Sequence, residues 1–298
     1  MTKVLDTSFL PKLDLELTEK NSQAISSGLY LVATPIGNLQ DISLRALTTL
    51  AKANLIACED TRITKRLLNK YGITTPVLSY HDHNAEKIRP ILLTRLAHGE
   101  SIALVSDAGT PLISDPGYKL VRACIDKKIM VTTIPGASSL LSALQLSGLP
   151  TDRFFFVGFL PPKSHARKVI LQEIIHIPAT LIFFETGPRL IASLQDMAEI
   201  WGERQASVAR ELTKVFEETK RDTLANLYTY YNQHGHPKGE IVIVVGPPSN
   251  ETLNYDIDTL LKEALATMSC RDAVKEIAQK TNISKQKIYK QALKKNIE

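Results

Sequence analysis

Short apolar runs alternate with longer amphipathic stretches along most of the chain. Gly28-Leu29-Tyr30-Leu31-Val32-Ala33-Thr34 has the length and apolar content of a strand. Asp41 then caps a predicted helix from about Ile42 to Ala53. Leu55-Ile56-Ala57-Cys58 and Ile102-Ala103-Leu104-Val105-Ser106 are further strands, Pro116 to Lys128 is a helix, and Val131-Thr132-Thr133-Ile134 is the next strand. Strands with no polar face, separated by helices, predict an α/β domain with a largely parallel sheet over residues 28–149. The pattern restarts after Pro150 and predicts a second α/β domain over residues 150–248. Its strands are Phe154–Val157, Thr180–Phe184, Ala206–Ala209 and Ile241–Val245, with helices starting near Ser164, Pro188 and Thr223 and an edge-like strand within Lys214–Asp222. The break Gly246-Pro247-Pro248-Ser249-Asn250 closes it.

A third pattern occupies residues 255–298, helical throughout from about Asp258 to Asn296. Ala273, Val274, Ile277 and Ala278 share one helical face, Thr281-Asn282 supply a turn, and Ser284 is an N-cap. Ile288, Tyr289 and Leu293 form the next apolar face. Two helices joined by a tight turn resemble a helix-turn-helix, with Lys285, Lys287, Lys290, Lys294 and Lys295 on the second. Charge sharpens this picture. From Lys262 onward there are nine Lys/Arg against four Asp/Glu, whereas the preceding residues hold 27 of each, so the whole net charge of +5 lies in the tail. Such asymmetry suits a polyanionic partner; a solubilising terminus is the plainer alternative.

Composition adds mainly exclusions. With 44% hydrophobic and 22% charged residues the chain is ordinary globular material, and no apolar run reaches membrane-spanning length. Residues 1–27 lack the basic start, apolar centre and cleavage site of a signal peptide and read as a flexible extension. Cys58, Cys124 and Cys270 are widely spaced and odd in number, which suits core filling in a reducing, cytoplasmic setting.

Candidate chemistry lies in the loops after the strands, where parallel α/β sheets hold their ligands. These loops are Ala33-Thr34-Pro35-Ile36-Gly37-Asn38-Leu39, Ser106-Asp107-Ala108-Gly109-Thr110-Pro111 running on to Ser114-Asp115-Pro116-Gly117, and Pro135-Gly136-Ala137-Ser138-Ser139. Each pairs Gly with Pro, fixing a tight backbone course that a ligand can approach closely. Neither the dinucleotide nor the P-loop fingerprint occurs. Hydroxyls and one carboxylate at successive strand ends favour a small polar ligand held largely by backbone.

The runs Leu31–Leu39, Ala57-Cys58-Glu59-Asp60-Thr61-Arg62, Val105–Pro111 and Ile134–Ser139 closely resemble the ribosomal RNA small-subunit methyltransferase I family of the tetrapyrrole methylase superfamily. The likeness continues through Gly158-Phe159-Leu160-Pro161, Phe184-Glu185-Thr186, Ala209–Lys214 and Gly239-Glu240. It implies a homodimer of two α/β domains with S-adenosylmethionine in the cleft between them, plus a helical C-terminal domain. The implied reaction is 2′-O-methylation of a decoding-centre cytidine in 16S rRNA, with assembled small ribosomal subunits as substrate and no membrane partner. The superfamily's cofactor contacts fall on Pro35, Asp107, Ala108, Gly109, Ser138, Phe184, Glu185, Thr186 and Glu240. The superfamily's opening loop, glycine-rich and ending in Gly-Asp, is here Thr34-Pro35-Ile36-Gly37-Asn38, which suits a large nucleic-acid substrate better than a buried macrocycle.

A ribose hydroxyl is a poor nucleophile at neutral pH, so a nearby base or charge is expected. Glu59, Asp60 and Arg62, with His81 from Ser79-Tyr80-His81-Asp82-His83-Asn84, are the candidate catalytic group; Arg210, Glu211 and Lys214 form a comparable cluster. The plainer alternatives are that Glu59-Asp60 cap the following helix and that His81-x-His83 belongs to a hydrogen-bonded loop; no metal is expected. Lys163, His165, Arg167 and Lys168 crowd a helix start, where an RNA phosphate, or alternatively an intersubunit carboxylate, would offset the dipole. Two rival functions remain: a methyltransferase of a tetrapyrrole or other small substrate, and a nucleic-acid binding protein without catalysis.

Overall fold

The computed structural model describes residues 25–248, 257–281 and 284–295. The extension over residues 1–27 lies outside them except for its last three residues, as do Ser249-Asn250 of the Gly-Pro break and Asn282 of the expected turn.

The first sheet contains β1 (Gly28–Val32), β2 (Leu55–Cys58), β3 (Val77–Ser79), β4 (Ser101–Val105) and β5 (Val131–Ile134), in the order β3-β2-β4-β1-β5. All its pairings are parallel, and β2 and β4 are buried along their whole length. Alternate residues enter opposite layers: Leu29, Leu55, Ala57, Ile102 and Leu104 on one face, Tyr30, Val32, Ile56, Cys58, Ala103 and Val105 on the other. A strand buried on both faces has no polar side, which is why the apolar runs are continuous. Helices α1 (Leu44–Lys52), α2 (Thr61–Lys70), α3 (Ala85–Ala97), α4 (Tyr118–Asp126) and α5 (Ser139–Ser147) follow these strands. Cys58 and Cys124 are core residues.

The chain departs from the pattern at three places. Asp41 does not cap α1: it ends a 3-10 turn, Leu39–Asp41, and Ser43 caps the helix by accepting from Ala46 N at 3.1 Å. The helix expected over Pro116–Lys128 is Tyr118–Asp126, because Gly117, at φ 138°, lies outside helical space. The strand β3 has only three residues, too short for any periodicity, and is fixed by pairing with β2.

The second sheet contains β6 (Phe154–Phe159), β7 (Thr180–Thr186), β8 (Gln205–Arg210), β9 (Glu218–Thr223) and β10 (Glu240–Val245), in the order β6-β7-β10-β8-β9. Only β6 and β7 run parallel. The edge strand β9 reads Glu-Thr-Lys-Arg-Asp-Thr, a charged sequence that discourages further pairing. Helices α6 (Ser164–Glu173), α7 (Gly187–Trp201) and α8 (Leu224–His234) complete this part. Ile36 from the loop after β1 packs with Ala143 and Leu144 of α5 and with Ile182, Ala209, Val242 and Val244 of the second sheet. Both sheets therefore belong to one compact unit, and the boundary expected near Pro150 divides sheets, not separately packed bodies.

The other unit comprises Ile175–Pro178 and the chain from Pro247 onward. Among its described residues are three helices, α9 (Ile257–Leu265), α10 (Cys270–Thr281) and α11 (Lys285–Lys295), around Ile257, Leu261, Val274, Ile277, Ile288 and Ala292. Ser269 starts α10 by accepting from Asp272 N at 3.2 Å, and Ser284 starts α11 by accepting from Lys287 N at 3.4 Å. Ile288 and Ala292 face inward on α11, whereas Tyr289 and Leu293, expected on the apolar face, are exposed. Among the described residues no helix is long and apolar enough to cross a membrane.

Candidate active site

Three strand-end loops are fastened to one another. Thr34 N donates to Gly109 O at 2.9 Å and Gly109 N to Thr34 O at 3.0 Å, joining the loops after β1 and β4. Thr34 Oγ1 donates to Ser106 O at 3.1 Å, and Thr110 Oγ1 to Ala137 O at 3.3 Å, which adds the loop after β5. Gly109 has φ 77°, and a Cβ there would stand 3.3 Å from Ile36 Cγ2. The glycine is thus required twice, by conformation and by close approach.

These loops and the second sheet enclose a cavity of about 260 Å³, close to the lower end of small-ligand sites, about 300 Å³. Ala108, Gly109 and Ser138 line it from the first sheet, and Phe184, Glu185, Thr186 and Glu240 from the second. Pro35 and Asp107 do not line it; they border a neighbouring cavity with Arg66, Lys214, Ala108 and Glu240. Several of the lining side chains are already committed, Ser138 and Glu185 among them. The Ser138 hydroxyl caps α5 by accepting from Leu141 N at 3.4 Å. The buried Glu185 carboxylate pairs with Arg189 Nε at 3.2 Å and accepts from Thr186 N at 2.9 Å and from Ser193 Oγ.

Four further lining residues were not singled out from the sequence: Asp115 and Phe159 stood there only within longer runs, and Ile113 and Leu140 carried no signal of their own. Asp115 is carried on a loop in which Leu112 and Ser114 take φ 74° and 64°. Left-handed conformations at non-glycine residues cost about 1–3 kcal/mol each and persist where surrounding structure enforces them. The signal was present as the Asp of Ser114-Asp115-Pro116-Gly117, the second in this loop after Asp107, but nothing in the spacing said which way it turned.

A second cavity, lined by Glu59, Asp60, Arg62, Ser79, His81 and Asp107, brings all four candidate catalytic residues together. Asp60 accepts from Arg62 N at 2.8 Å at the start of α2, and its carboxylate holds Arg62 Nη2 at 2.6 Å. The Arg62 hydrogen bonds lower the Asp60 carboxyl to about 2. The capping alternative therefore describes Asp60, with Arg62 as its counter-charge. Glu59 is different: burial, then the neighbouring Asp107 and Asp82 carboxylates, raise it. Asp107 accepts from Asp60 N at 3.0 Å, yet burial raises it too. Burial, followed by Glu59, pushes Asp115 up to about 6. His81 N donates to Asn84 Oδ1 at 2.9 Å in a hydrogen-bonded loop, and its ring meets His83 edge-on at 5.9 Å between centroids.

Arg210, Glu211 and Lys214 form a latch instead of a reactive cluster. Lys214 Nζ lies 2.9 Å from both Glu211 Oε1 and Glu240 Oε2, and Glu240 N donates to Glu211 Oε1 at 3.1 Å. Arg210 pairs with Glu218 at 3.1 Å. The bond from Lys214 holds the Glu211 carboxyl low.

The basic run at α6 needs correction. Arg167 is only 3% exposed; its guanidinium pairs with Asp196 at 2.6 Å and donates to Ala192 O at 3.2 Å. It is a buried structural cation and cannot reach an RNA phosphate. Lys168 is engaged by Glu199 at 2.6 Å, while Lys163 and His165 carry no such pairing among the described residues. In the tail unit, Lys285, Lys287 and Lys290 are exposed beside Tyr289.

Residues 28–228 match the model of tetrapyrrole (corrin/porphyrin) methylases, and residues 251–296 match the RsmI C-terminal HTH domain. The chain is 50% identical over 278 residues to the ribosomal RNA small subunit methyltransferase I of Mesorhizobium japonicum, covering 93% of this chain and 95% of that protein. It is 42% identical to the namesake of Rickettsia prowazekii over 91% of this chain and 98% of that protein. Among solved structures, uroporphyrin-III-C-methyltransferase from Thermus thermophilus shares 18% identity at a TM-score of 0.53, covering 74% of this chain and 94% of that one. Diphthine synthase shares 19% identity at a TM-score of 0.57, covering 73% and 89%. These two establish the likeness of fold.

Proposed function

Because the chain belongs to the ribosomal RNA small subunit methyltransferase I family, within the tetrapyrrole methylases, we propose that it methylates a ribose 2′-hydroxyl of 16S rRNA. The cofactor is S-adenosylmethionine, whose sulfonium methyl is the electrophile. The observation that carries this reading is the cavity bounded by Gly109, Ser138, Phe184 and Glu240.

The residues present fit the cofactor. Gly109 leaves room for a ligand against backbone, Leu140 and Phe184 offer apolar walls, and the Asp115 and Glu240 carboxylates favour a positively charged ligand. The loops are held by their mutual hydrogen bonds before any ligand arrives, so their contribution is pre-organised orientation. The neighbouring cavity with Glu59 and His81 lies on the same strand-end surface and is proposed to meet the RNA, with Asp60 and Arg62 holding the backbone that presents Glu59.

The target is a cytidine of the decoding centre, met in assembled small subunits. The exposed Lys285, Lys287 and Lys290 of α11, together with Lys163, supply phosphate contacts. A homodimer is also proposed; exposed Phe154, Phe155 and Phe216 offer apolar surface for it. Light scattering of the full chain decides the last point. The function itself is tested by calorimetry with S-adenosylmethionine and by transfer of labelled methyl groups to purified small subunits lacking this modification. The expected outcome is saturable cofactor binding and one methyl group per subunit on ribose. Label on a base, or none with the cofactor bound, sinks the assignment.

A further inference from the structure

Resting on that reading of the cofactor cavity, we propose that Asp115 is the group that takes the proton from the attacking ribose hydroxyl. The proton acceptor must lie within hydrogen-bond reach of a hydroxyl that is itself aligned with the methyl donor, so it belongs where the two sites meet. Asp115 lines the cofactor cavity and also an adjoining one, lined by Asp82, His83, Arg89, Tyr118 and Lys119. Glu59 and His81 line neither of these two cavities.

The adjoining cavity suits a nucleotide. Tyr118 is 70% exposed at its rim and offers a ring for stacking. Arg89 and the exposed Lys119 both line it, so two cations are placed for a phosphate. Between this rim and the cofactor cavity stands the one carboxylate common to both. Its loop, left-handed at Leu112 and Ser114 and turned by Gly117, holds it there.

Charges around Asp115 come from every side. Glu59 and Asp107 act on it from the ends of β2 and β4. Asp82, His83, Glu86 and Arg89 share its outer cavity, as do Tyr80, Tyr118 and Lys119; Glu185 and Glu240 share the inner one. Surplus negative charge and partial burial make its carboxylate a better base than a free aspartate. In the step, the oxygen–carbon bond forms as the methyl–sulfur bond breaks, with that bond's electron pair remaining on sulfur. The hydroxyl proton passes to an Asp115 carboxylate oxygen and then to solvent.

The test begins with wild-type transfer to unmodified small subunits, because absence of transfer there overturns the methyltransferase reading, and this proposal with it. Given wild-type transfer, Asp115→Asn should lower the single-turnover rate about a hundredfold or more, with subunit affinity unchanged and any loss of calorimetric cofactor affinity far smaller than the loss of rate. The fall of wild-type rate on acidification through about pH 6 should vanish in the variant, and Asp115→Glu should restore part of the rate. Thermal unfolding without cofactor gives an independent readout: Asp115→Asn should be more stable than wild type above about pH 6. A near-normal rate in Asp115→Asn, or a rate lost in proportion to cofactor affinity and stability, overturns the proposal.

Discussion

Gly109 and Asp115 mark the two ends of one loop, and each makes a measurable demand on it. Valine at position 109 meets both the left-handed φ of 77° and the Ile36 methyl group, so Gly109→Val should abolish S-adenosylmethionine binding by calorimetry while circular dichroism stays native. Binding at wild-type affinity would remove this loop from the cofactor site. Asp115 carries a linkage consequence. Its folded carboxyl ionises near pH 6, above the ordinary value of 3.8. The folded state therefore holds its proton where the unfolded chain has released it, which favours folding at low pH. The destabilisation is fully present above about pH 6 and is relieved as the pH falls through that value. The gain in thermal stability of Asp115→Asn should shrink accordingly between pH 8 and pH 5; a gain independent of pH would contradict this origin. The sequence displayed the glycine's role openly, since Gly-Thr-Pro after an apolar strand can hardly be anything but a tight turn. Asp115 was hidden because its direction depends on left-handed residues that no composition rule foretells.

Among the elements, α6 shows how a basic run misleads. Lys163, His165, Arg167 and Lys168 look alike in sequence, yet Arg167 lies one turn before Leu171, and both are buried on the face turned to the protein. Removing one partner of a buried ion pair leaves an uncompensated charge, so Asp196→Ala should cost about 3–5 kcal/mol in denaturant unfolding. A loss no larger than that of an exposed substitution would mean that Arg167 finds another partner. The strands β1, β2, β4, β7 and β10 were legible because burial on both faces leaves an unbroken apolar record. The helix α1 began two residues later than its Asp41 cap suggested, since a 3-10 turn intervenes and Ser43 makes the capping bond. Chain order was readable; the place of β4 between β2 and β1, which sets the loops after β1 and β4 side by side, was not.

At the scale of the whole molecule, chemistry and charge occupy different units. All the proposed cofactor-binding residues lie before Gly246, while the net charge of +5 comes from Lys262 and the residues after it. Truncation after Pro247 should thus leave S-adenosylmethionine affinity intact and weaken RNA binding. The log–log salt dependence should flatten by about 0.7–0.9 for every phosphate that the tail had neutralised; an unchanged salt slope would make the tail a packing element. The central claim, ribose methylation of small-subunit RNA, is met most directly by mapping 2′-O-methyl groups on 16S rRNA from cells with and without this gene. Loss of a single decoding-centre cytidine 2′-O-methyl group, restored by the wild-type gene and not by the Asp115→Asn form, is the predicted result. An identical ribose-methylation map in both strains would contradict it.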